Sequence, residues 1–259
     1  MSATILTDLT NGLATVTLNR PERHNAMNDA MVALFRSTVL EVLDDDAVRV
    51  VLLRANGPSF CSGRDTTELG TRSRGETDFV HVHRAQQMRL SILDSPKPVV
   101  AEVRGHAIGG GCELALSCDI RVADTTLQMS LPEVRYAITI DTGASVLATA
   151  LAGPSKAKYM IMTGDRIDAT TAEKWGLVDF VVAPDELEAK ARSIAERLAT
   201  NAPLAVQMGK QLVDNVWANA VRTALRSELM AQTALFTSRD RAEFKSATTE
   251  KRAPEFNGR

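Results

Sequence analysis

Cysteine, aromatic residues and an excess of either charge are what this sequence has little of. Its 259 residues include three cysteines, Cys61, Cys112 and Cys118, an odd number with no CxxC pair. That excludes a disulfide framework, weighs against a zinc site and fits free thiols in a reducing compartment. Thirty Lys and Arg against thirty-two Asp and Glu leave a net charge of −2, with both signs scattered along the chain. The basic excess on which nucleic-acid and membrane-surface proteins rely is missing. No run of about eighteen apolar residues occurs, so no segment is expected to span a membrane. The opening MSATILTDLT has neither a basic n-region nor an apolar h-region, which makes the cytoplasm the default expectation. GxGxxG, GxxxxGK[ST] and GxSxG are also absent, against a dinucleotide-dependent redox enzyme, a P-loop enzyme or a nucleophile-elbow hydrolase.

What is present is an ordinary globular composition, with 44% hydrophobic and 24% charged residues. A chain of this length hides roughly 70 to 75% of its unfolded area and can build a large core without staples. Asn11-Gly12, followed by Ala14, Val16 and Leu18 alternating with Thr15 and Thr17, predicts the second strand of a hairpin. The period then turns helical over Met31, Leu34, Phe35, Val39, Val42 and Leu43, ending near 44–46. Further strands are predicted at 48–54, 99–103, 120–122, 127–130 and 177–182, with helices at 79–93 and 112–118. Residues 64–78 are polar, show neither period and predict a long loop. Interleaved strands and helices over the first two thirds predict an α/β class.

After Pro203, Leu204, Met208, Leu212 and Val216 share one helical face, as do Val221, Leu225, Leu229 and Phe236. Two amphipathic helices are predicted, whose apolar faces cover either another subunit or their own core. The charged tail beyond Glu250 is expected to fray.

Few residues carry chemistry. His81 and His83 form an HVH pair on a predicted helix, where residues two apart point away from each other, so they read as solvated side chains and not as a metal pair. His24 and His106 read as turn residues. The stretch GHAIGGGCEL, Gly105 to Leu114, is more informative. Three glycines entering an apolar helix admit a close ligand and leave helix-start N–H groups free to hold a developing oxyanion. Glu113, three residues past Gly110, falls on the same helical side. The same glycines would equally serve tight strand-helix packing. Pro132 leaves Glu133 in the first turn of a helix or turn. Asp141, before TGASVL, reads as a helix N-cap.

GHAIGGGCELALSCDIRVAD, with PSFCSGRDTTEL and LNRPERHNAM upstream and TGDRIDATTAEKWGLVDFVV downstream, resembles the enoyl-CoA hydratase/isomerase, or crotonase, family. The match runs in order over most of the chain. It implies a spiral of ββα units with a helical C-terminal region, here 1–195 for the acyl-CoA site and 196–259 for oligomerisation. It also implies a homotrimer or homohexamer acting on an acyl-CoA thioester, with no metal and no cofactor beyond the coenzyme A of the substrate.

By position, the resemblance makes the backbone N–H groups of Arg64 and Gly110 the oxyanion hole. Glu113 and Glu133, twenty residues apart, become the acid/base pair of a hydratase. The coenzyme would lie along Asn25, Ala26, Ser62, Gly63 and Asp65, with Arg23 near a phosphate, and the acyl pocket along 66–93, Tyr136 and Ile140. One departure stands out: the eighth residue after Glu133 is Asp141, where hydratases of the family have a glycine-rich stretch. A third carboxylate there resembles the dienoyl-CoA isomerase branch. The expected activity is therefore hydration of a trans-2-enoyl-CoA, with double-bond isomerisation by Glu133 and Asp141 as the alternative and a non-catalytic binding homologue behind both.

Overall fold

The computed structural model describes residues 3–67 and 75–259. The part of the expected loop at 68–74 lies outside the described residues. Asn11-Gly12 turns β1 (Ile5–Thr10) antiparallel onto β2 (Leu13–Leu18), as the alternation predicts. β1 is exposed after Ile5, whereas every residue of β2 is buried, Thr15 and Thr17 included. The reason is position: β1 is an edge, and β2 lies between β1 and β3 (Val50–Ala55) with both faces covered.

Between β2 and β3 runs α1 (Asp29–Asp44), started by Asn28, whose side chain accepts from Met31 N–H. Met31, Phe35 and Val39, four residues apart, bury its inner stripe. α2 (Asp78–Leu93) follows, capped by Thr77. Then come β4 (Val99–Val103), β5 (His106–Ile108), α3 (Gly110–Leu116), β6 (Ile120–Asp124) and β7 (Gln128–Ser130). α3 starts two residues earlier than its apolar run because the glycines themselves form its first turn. The last third holds α4 (Ala144–Ala152), α5 (Pro154–Thr163), β8 (Ile167–Asp168), α6 (Ala169–Trp175) and β9 (Phe180–Val182). It ends with α7 (Leu187–Thr200), α8 (Pro203–Phe236) and α9 (Arg239–Glu250). β8, two residues long, is too short to leave a period in the sequence.

One six-stranded sheet runs β1-β2-β3-β4-β6-β9 and is parallel beyond the first hairpin. A second, β5-β7-β8, lies beside the candidate site. Alternation divides the main sheet's side chains between two cores. Val16, Val51, Leu53, Ala101 and Val103 join α1, α3 and α4 in the larger one. Leu13, Val50, Leu52, Val100 and Val122 pack on Leu187, Ala191, Ile194 and Ala199 of α7.

Two C-terminal expectations change. The pair of helices after Pro203 is one helix of 34 residues, because no breaker separates the two stripes. Its first stripe is exposed, 73% at both Leu212 and Val216, while Val221, Leu225 and Leu229 of the second are buried. The tail does not fray. Asn257 and Gly258 donate backbone N–H groups to Asp240, Arg239 N–H donates to the Arg259 main-chain oxygen, and Arg252 pairs with Glu243.

Candidate active site

The glycine turn and the 61–65 segment are stitched together by backbone. Cys61 N–H donates to His106 O at 2.9 Å, and its carbonyl accepts from Ile108 N–H at 3.0 Å. One step on, Met27 N–H donates to Gly63 O at 2.8 Å and Asp65 N–H to Met27 O at 3.0 Å. That parallel bridge directs the Arg64 N–H away from Met27. Gly110 is the first residue of α3, so its N–H has no partner one turn back. Neither N–H has an acceptor among the described residues. Gly63, at φ +89°, makes the approach possible: a Cβ there would meet Ile108 O at 2.6 Å and the Gly110 nitrogen at 3.5 Å. Gly63, Arg64 and Gly110 line one cavity of about 150 Å³ together with Glu113, Glu133 and Asp141.

The three carboxylates are held differently. Glu113 is 2% exposed, and its Oε1 accepts from Thr142 N–H at 2.9 Å and Ala144 N–H at 3.4 Å. Glu133 opens a short 3₁₀ turn, Glu133–Tyr136, directly after Pro132. It crosses over Gly109, φ +54°, so closely that a Cβ there would lie 2.8 Å from its Oε1. Its Oε2 is buried with no hydrogen-bond partner among the described residues. Asp141 Oδ2 accepts from Gln232 Nε2 at 3.2 Å, and its carbonyl accepts from Gln86 Nε2 at 2.8 Å. Asp141 is not the cap of α4: Gly143 occupies that position, and the free N–H groups of the helix start turn to glutamates instead.

Burial, then the neighbouring Glu113 and Asp141, pushes the Glu133 carboxyl well above the usual carboxylate range. Burial, then Glu113 and Glu228, pushes Asp141 up to about 8. Several acids around one enclosed space cannot all be ionised, and Glu133, with an unpartnered oxygen, is a natural proton carrier.

Beyond the broad 66–93 stretch expected for the acyl pocket, sequence reasoning did not single out the residues that organise these three. Arg89, 3% exposed, reaches from α2 to donate to Gly110 O at 2.6 Å and also lines the cavity. Burial lowers its pKa, opposed by Glu113 first among its acidic neighbours. Glu228 of α8 takes Gly143 N–H at 2.7 Å and Ser145 N–H at 2.9 Å. Gln86, Arg89, Glu228 and Gln232 are polar residues on helices, which a periodicity reading assigns to solvent. His81 is likewise not a solvated side chain. It lines the cavity, with Nδ1 3.5 Å from Glu76, which also pairs with Arg84 at 3.0 Å. His83 stays exposed against Phe79. His24 closes a 3₁₀ turn and His106 lies on β5, their rings 5.3 Å apart.

Among the residues expected along the coenzyme, Asn25 is wholly buried. It accepts from Arg20 N–H at 2.7 Å and donates to the carbonyls of Asn56 and Ser59 at 2.9 and 2.7 Å. Ala26 O accepts from Arg20 Nη1, and Asp65 Oδ2 accepts from the same nitrogen at 2.6 Å. Asp65 Oδ1 takes the Thr67 N–H and hydroxyl, and these bonds, Arg20 first, hold its carboxyl down at about 2. Asn25 and Asp65 therefore spend their side chains on the shape of the loop. Arg23 is exposed, and Ser62 Oγ donates to its carbonyl at 3.4 Å.

Of the expected acyl-pocket residues, His81, Arg84, Ala85, Met88 and Arg89 line the cavity, and residues 68–74 lie outside the described residues. Tyr136 and Ile140 are absent from its described lining: Tyr136 packs edge-on against Phe244, and Ile140 belongs to the larger core. Ile138 and Thr139 stand there instead, because the 3₁₀ turn shifts the phase of the chain. Among the described residues, no group of three or more His, Cys, Asp or Glu is placed to hold a metal ion.

The sequence pattern of the enoyl-CoA hydratase/isomerase family matches residues 8–259. A short-chain-enoyl-CoA hydratase of Clostridium acetobutylicum is 36% identical over 242 residues, covering 93% of this chain and 92% of that one. The crystal structure of an enoyl-CoA hydratase/isomerase from Pseudoalteromonas atlantica T6c superposes with a TM-score of 0.89 at 30% identity, covering 98% and 100% of the two chains. An enoyl-CoA hydratase from Mycobacterium avium subsp. paratuberculosis K-10 gives 0.87 at 28%, covering 98% and 99%. With the crotonase fold and a match along nearly its whole length, the chain belongs to the enoyl-CoA hydratase/isomerase family, as an enoyl-CoA hydratase or a related isomerase.

Proposed function

We propose that the protein adds water across the 2,3 double bond of a trans-2-enoyl-CoA. The observation that carries this is the convergence, on one cavity, of two N–H groups without acceptors among the described residues and two carboxylates in unlike surroundings. The thioester carbonyl would accept from the N–H groups of Arg64 and Gly110. Glu113, oriented by Thr142 and Ala144, takes a proton from water as its oxygen bonds to carbon 3. The π electrons move toward the thioester oxygen, giving an enolate-like state, and carbon 2 then takes a proton from Glu133. Glu113 ends protonated and Glu133 ionised, and exchange with solvent restores both. Each oxyanion donor is worth roughly 2.7 to 4 kcal/mol of barrier. The raised Glu133 suits a proton donor at neutral pH.

A second reading is favoured by Asp141, which lines the same cavity and at about 8 exchanges protons near neutrality. With Glu133 it would carry a proton between distant carbons of a dienoyl-CoA, an isomerisation. The names of the relatives favour hydration, and the intact glutamate pair disfavours a purely binding role.

Coenzyme A enters as part of the substrate, with no further cofactor, along the loops holding Arg23, Asn25, Ala26, Ser62, Gly63 and Asp65. We assign 1–195 to the thioester site and 196–259 chiefly to assembly as a homotrimer or homohexamer, supported by the exposed stripe Leu204, Met208, Leu212 and Val216. A cytoplasmic location is supported by three buried, unpaired cysteines.

Incubation with crotonyl-CoA and, separately, with a 3,5-dienoyl-CoA distinguishes the two reactions by ultraviolet absorbance. Loss of the enoyl chromophore is expected. An unchanged enoyl spectrum with turnover of the diene would replace hydration by isomerisation.

A further inference from the structure

The start of α4 is shared between two glutamates that arrive from different elements. Four consecutive N–H groups alternate between them. Thr142 and Ala144 donate to Glu113 of α3, at 2.9 and 3.4 Å. Gly143 and Ser145 donate to the two oxygens of Glu228 of α8, at 2.7 and 2.9 Å. Helix-start N–H groups are ordinarily satisfied by a cap side chain or by water. Here Gly143 brings no side chain, and both remedies are replaced by buried acids.

The arrangement is electrostatically costly. Burial and then Glu113 push Glu228 up to about 7. Asp141, on the loop before α4, faces the same pair, and Arg89 of α2 faces Glu113 and Asp141. A second residue of α8 reinforces the hold: Gln232, one turn beyond Glu228, accepts from Thr139 N–H at 2.9 Å and donates to Asp141. Gln86 of α2 ties Leu225 O to Asp141 O, both at 2.8 Å. The segment 139–145 is thus strapped to α8, and among the described residues the strap between the two N–H groups that orient Glu113 is Glu228.

We propose that Glu228 is a positioning residue: by holding the Gly143 and Ser145 N–H groups, it fixes the backbone from which Thr142 and Ala144 orient Glu113 toward the reacting carbon. It touches no substrate itself and acts through the peptide units that alternate with its own. The inference rests on Glu113 acting as the base.

The test compares the parent with Glu228→Gln and Glu228→Asp in the full chain. A glutamine keeps one acceptor but sets an amide donor against a backbone N–H, and an aspartate keeps the charge but is a methylene too short to hold both. In either, kcat on crotonyl-CoA is expected to fall about 10- to 100-fold, since small misplacements of a reacting group cost that much. KM should stay within about threefold, because binding is left alone. Amide hydrogen exchange at Thr142 and Ala144, which Glu228 does not touch, should speed up beyond any change shared by the rest of the chain, even where the lost buried hydrogen bond lowers the urea midpoint. A simple cap would lower the midpoint, leave kcat unchanged and move those two amides only as the rest of the chain moves, which would overturn the proposal. Should the glutamine variant fail to fold, the aspartate variant is read by the same criteria. A parent inert toward crotonyl-CoA counts against hydration alone, and the exchange rates then decide the positioning role by themselves.

Discussion

Asp65 and Asp141 are the same side chain put to opposite uses in two regions of one molecule. In the 20–65 loop network Asp65 meets Arg20 and Thr67, both its oxygens are bonded, and its carboxyl is held at about 2. In the cavity lined by Gly110 and Glu133, Asp141 meets burial and two further glutamates and is pushed up to about 8. Asn25 likewise satisfies its amide on every side, whereas Glu133 keeps one buried oxygen with no partner among the described residues. Where the chain needs only shape it surrounds an acid with donors. In the cavity it crowds acids together and leaves bonds unmade, the surroundings the proposed proton transfers would use.

The largest effect that separates the regions should come from Glu133→Gln. It removes the proposed proton donor without removing volume, so kcat on crotonyl-CoA should fall about 10²- to 10⁴-fold, measured by steady-state kinetics, with the fold intact by circular dichroism. Gly63→Ala comes next. Its Cβ would press on Ile108 O at 2.6 Å in a left-handed conformation, so the Gly110 and Arg64 N–H groups part. A loss of about 10²- to 10³-fold in kcat is expected, the scale of one oxyanion donor. Third is Asp65→Ala, which strands Arg20: stability measured in urea should fall by roughly 1 to 3 kcal/mol, while kcat per folded molecule changes far less than in the first two.

The smallest effects lie in the pH dependence of stability, and the two aspartates should show opposite signs. Asp65, lowered on folding, contributes stability above about 4 that is lost as pH falls toward 2. Asp141, raised on folding, contributes stability in full below about 4 and loses it as pH rises through 8. Asp141→Asn should therefore flatten the decline of Tm between pH 5 and about 9 in a thermal scan, and Asp65→Asn should flatten the acid side. An equal response to both substitutions would erase the distinction between the regions.

Much of the fold was legible because it rests on periodicity and turn chemistry. The Asn11-Gly12 hairpin, the Met31-Phe35-Val39 stripe and β4 at Val99–Val103 are all local patterns. Glu113 and Glu133 were matched through the family resemblance, and both do line the cavity, beside the glycine turn and Pro132. Arg89, Gln86 and Glu228 were not legible, since a buried polar residue on a helix leaves the same trace as a solvated one. Only the crossing of α2 and α8 over the cavity gives them partners. The Asp141 cap failed for a related reason: a remote carboxylate outcompeted the local one for the start of α4. The tail was misread because the backbone N–H groups of Asn257 and Gly258 find Asp240, and Arg252 finds Glu243, on α9, an agreement between distant residues.

Hydration of crotonyl-CoA by the parent and by Glu133→Gln, followed side by side at neutral pH, tests the central claim most directly. The parent should consume the enoyl chromophore and form the 3-hydroxy thioester, and the variant should do so at least about 10²-fold more slowly. A parent that leaves the chromophore intact, or a variant within about threefold of it, would contradict the assignment of Glu133 as the proton donor of a hydratase.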